Sequence, residues 1–403
     1  MNINNVAGIQ IKDILKSTRL GLFPLPNDAV LEESLLCFCC KNTLEVLAVL
    51  VGVEAHSQIR VGVCGSCGYM GYIDRPTKAW LTSFYSTDWD KEFMRSAKQM
   101  KSDVVLQKGG VKGSRQRAFE LHRQIPVNKK KPYFEIGSGY GQVMKNFEIA
   151  GFEKLYGIEN SKHRAELVNN VFGFEIYHGD FGSREVTEQI KENGQYGLIF
   201  SHHVLEHVYD PNEVIQAMSE VQDEGDYAIF AVPDVAGEHM NYVTLYWPHL
   251  HGFTKESLET LFNRHGYEVV VDGSPDILNI IFVLKRTKNP NPIFKKRKDY
   301  VSEAQNRLRL ATSADTLSDG LSELLWDQRI TERDNSTAKK VSGGFLGGRI
   351  FWSLKQIVSW TKSRIFKRLS VRYSLLVSPV FEKLTKYNAF EIHFKKTITF
   401  LTK

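Results

Sequence analysis

The 403 residues, 42% hydrophobic and 24% charged, have an ordinary globular composition and suffice for roughly two to three domains. The start, "MNINNVAGIQIKDILKSTRL", has no basic stretch leading into an apolar one, and the longest apolar run, residues 44–53, carries Glu45, so neither a secretory signal nor a membrane span is expected. The net charge of +6 is uneven: from Gly343 onward 12 Lys or Arg face only Glu382 and Glu391, a local +10 that leaves −4 for the rest and argues against a chain-wide nucleic-acid surface. A cytosolic location follows, where thiols stay reduced.

After an N-terminal lead (1–30), all five cysteines fall between Cys37 and Cys67. Cys37 and Cys40 form one C-x-x-C pair, and Cys64 and Cys67 form a second one 23 residues later. Four soft thiolates in this arrangement suit tetrahedral Zn²⁺, and a closed set of four protein ligands is structural rather than catalytic. A thioredoxin-like redox pair would need a βαβ context, which is missing. Cys39 competes for the first half-site, so whether Cys37 or Cys39 joins Cys40 stays open at this stage. Gly68 after the second pair allows the tight turn that aims amides at sulfur. The expectation is a small zinc-ribbon-like module over 31–80, followed by a helical connector over 81–130 that opens on the aromatic stretch "AWLTSFYSTDWDKEFM".

From residue 131 short apolar strands alternate with amphipathic helices. "PYFEI", "KLYGIE", "FEIYHGDF", "YGLIFSHHVL" and "DYAIFAVPD" read as five strands separated by helices, and "EVVVDG" with "ILNIIFVLKR" as a closing antiparallel hairpin. Repeated βα units make a doubly wound, Rossmann-like α/β sheet whose ligand crevice lies at the carboxyl ends of its strands. Gly137, Gly139 and Gly141 follow the first strand, preceded by Glu135. Residues without side chains there let a ligand reach the backbone and the next helix N-terminus. A dinucleotide fingerprint would place its third glycine at position 142, which is Gln142. Glu159 closes the second strand, where a carboxylate can accept from ribose hydroxyls. Asp180 closes the third, where it can accept from an adenine amino group with Phe181 flanking the ring.

With these elements in register, the chain resembles the class I S-adenosylmethionine-dependent methyltransferases over 131–286, through "EIGSGYG", "GIE", "HGDF" and "SHHVLEHVYDP". The resemblance implies S-adenosylmethionine in the crevice, with Gly137, Gly139 and Gly141 near its methionine part and Glu135 also among the cofactor residues. Glu159 would bind the ribose, Asp180 and Phe181 the adenine, and His202 is counted among the cofactor residues. The nucleobase-methylating N/D-P-P-Y/F loop is absent after the fourth strand, and no cysteine lies beyond Cys67 to act as a pyrimidine-attacking nucleophile. Histidines gather instead: His202, His203 and His207 after the fourth strand, and His249 and His251 after the fifth. One is expected as general base, His249 first and His203 second, the others being packed or capping side chains. The N-terminal cysteine module further resembles that of sugar methyltransferases carrying a zinc-binding domain, including deoxysugar C-methyltransferases. Aligned on "FT", Tyr246 falls on that family's tyrosine and His249 on its base. Pro248 replaces its glutamate, which weakens the case for carbon over hydroxyl methylation. Tyr85, by the same resemblance, would touch the acceptor, with domain packing as the alternative.

Residues 287–342 read as a Pro/Asn/Lys linker and an exposed helical stretch. Residues 343–403 read as a basic amphipathic tail, with Ile350, Leu354, Ile357, Thr361, Ile365 and Leu369 on one stripe flanked by Trp352 and Trp360. Such a helix fits either an anionic membrane surface or docking on protein. The combined expectation is a cytoplasmic methyltransferase, peripheral on the inner face of the membrane, acting on a nucleotide- or lipid-linked sugar.

Overall fold

The computed structural model describes residues 8–10, 28–53, 56–87, 111–236, 248–275, 279–297 and 299–312. Tyr246 and the whole basic tail, and with them the membrane stripe, lie outside the described residues. Among the described residues no helix is long and apolar enough to cross a membrane.

Three short β elements open the chain: β1 (Gly8–Gln10), β2 (Leu31–Glu33) and β3 (Glu45–Val53). β4 (His56–Val63), β5 (Met70–Tyr72), β6 (Asp74–Pro76) and the helix α1 (Lys78–Thr87) complete the N-terminal module. α2 (Gly113–Glu120) leads into the alternating core. That core runs β7 (Tyr133–Ile136), α3 (Gln142–Ile149), β8 (Leu155–Glu159), α4 (Lys162–Phe172), β9 (Glu175–His178) and α5 (Arg184–Lys191). It continues with β10 (Leu198–His202), α6 (Pro211–Glu220), β11 (Tyr227–Pro233), β12 (His251–Gly252) and α7 (Lys255–Arg264). The hairpin β13 (Tyr267–Asp272) and β14 (Asn279–Arg286) closes it, and α8 (Tyr300–Thr312) follows.

The core sheet has seven strands in the order β13-β14-β11-β10-β7-β8-β9. β9, β8, β7, β10 and β11 run parallel, and β14 enters antiparallel between β11 and β13. The strands read as near-continuous apolar runs because both faces are covered. Alternate residues feed two separate cores: Phe134, Ile199, Phe230 and Phe282 go to one, and Tyr133, Phe200, Ile229 and Ile281 to the other. The order reverses between β7 and β10, which opens the ligand crevice at their carboxyl ends.

The module is not a separate bead. β1, β3, β4 and β5 form a second sheet whose last strand is β12, contributed by the catalytic half: His251 pairs with Gly71 and Gly252 with Met70. The cysteines Cys37, Cys39, Cys64 and Cys67 lie in the same buried cluster as Phe134 and Phe230. The stretch after the hairpin, expected to be an exposed helix, instead buries Tyr300, Ala304 and Leu308 of α8. The i, i+4, i+8 stripe they form packs near the module, Tyr300 against Gly68 and Ala304 and Leu308 among Leu47, Val61 and Phe84. Polar residues around that stripe had masked a buried face.

Candidate active site

The turn from β7 to α3 is built by glycines at positive φ: Gly137 at 73°, Gly139 at 55° and Gly141 at 71°. A Cβ on Gly137 would stand 2.4 Å from Val204 Cγ2, so this turn packs directly on the loop leaving β10. A Cβ on Gly139 would meet nothing within 4 Å, an open cradle of the kind a ligand backbone contact fills. Glu159, buried at the end of β8, accepts from Gly139 N at 2.9 Å and from Ser161 N at 3.1 Å, with Arg164 Nη1 3.5 Å from Oε1. Burial pushes the Asp180 carboxyl up, against the hydrogen bond from Asn160. Ser138 Oγ and His202 Nδ1 are buried polar atoms with no hydrogen-bond partner among the described residues. An open cradle, orphaned polar atoms and strand-end carboxylates fit an adenosyl-bearing cofactor. Phe181 sits deeper, its ring centroid 5.4 Å from that of Phe134 in the core. Glu135 is enclosed beside Tyr133, whose hydroxyl donates to Oε2 at 3.2 Å, and burial pushes its carboxyl up to about 8.

The second part of the site is a histidine cluster on the loop after β10. His202 Nε2 meets Ser114 Oγ at 2.9 Å, and its ring stacks on His203 with centroids 4.3 Å apart. His203 has a left-handed backbone, φ 56°, which re-aims the chain, and its Nε2 donates to Asn279 Oδ1 at 2.8 Å. His207 Nδ1 donates to the Pro248 carbonyl at 2.8 Å, and its ring meets that of His249 edge-on at 4.5 Å. Burial holds His203 and His207 down at about 4, so both are neutral near pH 7. Tyr85 Oη lies 3.4 Å from His207 Nδ1, which brings α1 of the module to this cluster. His251 plays the packed role: Tyr69 Oη reaches its Nδ1 at 2.6 Å, and its Nε2 donates to the Val208 carbonyl at 2.8 Å.

Sequence reasoning gave no part to Glu206. Its side chain is fully enclosed between His203 and His207, and burial lifts its carboxyl to about 8. The available signal was an acid one residue before a histidine in an otherwise apolar turn, "HVLEH".

In the module, the Sγ atoms of Cys37, Cys40, Cys64 and Cys67 all fall within 4.8 Å of one another. Cys37 and Cys67 are 3.6 Å apart and Cys40 and Cys64 3.4 Å, near the roughly 3.8 Å edge of a tetrahedral zinc–thiolate site. Cys40 N points at Cys37 Sγ, and Lys41 and Gly68 take the left-handed turns of two matching knuckles. Cys39 stands outside this set of four, so Cys37 pairs with Cys40. Thr254, the N-cap of α7, donates from Oγ1 to the Cys67 carbonyl at 2.9 Å and ties the second knuckle to the core.

Residues 113–271 match the family model described as a methyltransferase domain. The chain therefore carries a class I S-adenosylmethionine-dependent methyltransferase domain and is an enzyme of that kind. Among solved structures it is similar to an S-adenosylmethionine-dependent methyltransferase from Clostridium acetobutylicum, with 11% identity and a TM-score of 0.35, over 47% of this chain and 97% of the other. It is also similar to one from Anabaena variabilis, with 17% identity and a TM-score of 0.34, over 43% of this chain and 84% of that one. No curated protein matches the chain.

Proposed function

We propose that the enzyme methylates a sugar, at a hydroxyl or carbon, in a nucleotide- or lipid-linked glycan of cell-envelope polysaccharide synthesis, with a histidine as general base. The observation that carries this reading is the histidine cluster: His203 and His207 on the loop that packs against the glycine turn, with His249, just before β12, edge-on to His207. When bound, S-adenosylmethionine supplies an electrophilic methyl on a sulfonium. The glycine turn, Glu159 and Asp180 hold and orient it, while the histidine rings stand beside it to take a proton. For a hydroxyl acceptor, the cofactor would supply the methyl carbon to the oxygen, the electron pair of the broken carbon–sulfur bond leaving with sulfur, and His249 would take the proton that the oxygen loses. Positioning supplies most of the acceleration. Four thiolates, Cys37, Cys40, Cys64 and Cys67, hold a structural Zn²⁺ in the module, and Tyr85 borders the acceptor side. The basic tail brings the enzyme to an anionic membrane face in the cytoplasm, where lipid-linked acceptors reside.

The test is methyl transfer from labelled S-adenosylmethionine to a panel of nucleotide sugars and lipid-linked glycans. His249→Ala is expected to lower kcat by about 10²–10⁴-fold while leaving S-adenosylmethionine affinity unchanged. Full turnover by that variant on the identified acceptor would refute the assignment.

A further inference from the structure

No other described residue donates a hydrogen bond to either carboxylate oxygen of Glu206, whose own backbone amide is the nearest donor, although the side chain has no exposed surface. Enclosing a carboxylate in this way costs several kcal/mol unless it is protonated, paired or bound to a cation. Ring nitrogens surround it: His203 Nδ1 lies 3.4 Å and His207 Nε2 3.9 Å from Oε1. Ligand atoms of Glu206, His207 and His249 all fall within 4.8 Å of one another. His207 is also held as metal-binding histidines usually are. Its Nδ1–H donates to the Pro248 carbonyl, which orients the ring with Nε2 on the side of the carboxylate.

We propose that Glu206, His207 and His249 form a second metal site, separate from the four thiolates, which takes a divalent transition ion. Two imidazoles and a carboxylate are a borderline donor set that suits Zn²⁺, Mn²⁺ or Fe²⁺ rather than a soft-metal site. Three protein ligands leave coordination positions open, as in catalytic rather than structural centres. Glu206 and His207 follow directly on Val204, against which Gly137 of the cofactor cradle packs, and His249 joins them from the segment before β12. Its consequence for chemistry rests on the methyl-transfer reading. An acceptor hydroxyl bound at an open position loses its proton more readily. With His207 and His249 bound to the ion, His203 Nδ1 replaces His249 as the group that takes that proton, the oxygen–carbon bond forms as the carbon–sulfur bond breaks, and the pair of the broken bond leaves with sulfur; His249→Ala then lowers turnover by losing the ion. This favours a hydroxyl over a carbon acceptor.

The experiment is equilibrium dialysis of the full-length chain against micromolar Zn²⁺, with bound metal counted by mass spectrometry. Wild type is expected to hold about two ions per chain, and Glu206→Gln and His249→Ala about one each. Dialysis against Co²⁺ adds a spectroscopic check, since thiolate-to-cobalt absorption reports the cysteine site alone and should persist in both variants. Calorimetric binding of S-adenosylmethionine verifies that each variant is folded, and the half-buried His249 carries the test if Glu206→Gln is not. A wild-type count of about one ion, or an undiminished count in the folded variants, overturns the proposal. The readout is metal occupancy, so its failure leaves the methyl-transfer reading standing. Absence of methyl transfer at full occupancy would strike the latter instead.

Discussion

Glu135 holds its proton because it lies in the apolar interior under the glycine turn, where ionisation would strand a charge. The folded carboxyl titrates at about 8 and the unfolded one near its ordinary 4.5. A group raised in this way contributes stability that is full below the lower value and is lost as pH rises through the higher one. Glu135→Gln has no proton to lose. In the absence of S-adenosylmethionine, its melting temperature relative to wild type should climb steadily from about pH 5 to about pH 8.5. An offset independent of pH would show that Glu135 is ionised in the folded protein. The neighbouring histidines work in the opposite sense: His203 and His207 are depressed to about 4, so their contribution is complete above the unfolded value and fades as pH falls through about 4. At this scale the sequence was informative where chemistry is local. A glycine needing positive φ or a carboxylate at a strand end announces itself by type and position. Glu206 did not, since only three-dimensional packing decides whether an acid between histidines is solvated or enclosed.

Among the elements, the β7–α3 turn couples cofactor cradle and histidine loop through one missing side chain. Gly137→Ala must place a methyl 2.4 Å from Val204 Cγ2 at a φ of 73°. The backbone penalty alone is about 1–2 kcal/mol, and the clash pushes the histidine loop away from the cradle. Calorimetry should therefore show a loss of S-adenosylmethionine binding that exceeds the fall in thermal stability. Unaltered affinity would mean that the turn yields without moving the loop. The strands and helices of the core were legible because each carries a strong period: Tyr133–Ile136, Leu155–Glu159 and Leu198–His202 lie inside the predicted runs. β12 was not, since a two-residue strand has no period, and its partner Met70–Gly71 lies 180 residues away in sequence. The same holds for α8, whose buried stripe acquires meaning only against the module sheet.

Across the whole molecule, the module supports the catalytic half rather than hanging from it. The four-cysteine cluster, the β5–β12 pairing and the Thr254–Cys67 contact converge on the segment that carries His249. Structural zinc sites contribute on the order of 10 kcal/mol to the folding of their domain, so for Zn²⁺ held as proposed, its loss should not stay local. Cys64→Ser, or prolonged chelation, is expected to lower the melting temperature and to weaken methyl transfer together. A variant that loses the metal yet keeps wild-type melting and turnover would show that the module is a passenger.

The two-residue strand β12 also sets a schedule for biosynthesis. Tyr69 waits for His251, which emerges from the ribosome 182 residues later, and Cys67 for Thr254, 187 residues later. During that interval the nascent module shows an incomplete sheet edge and an uncovered aromatic surface, the kind of intermediate that chaperones shield. Late closure by a distant strand makes a part synthesised before the catalytic core among the last to be finished.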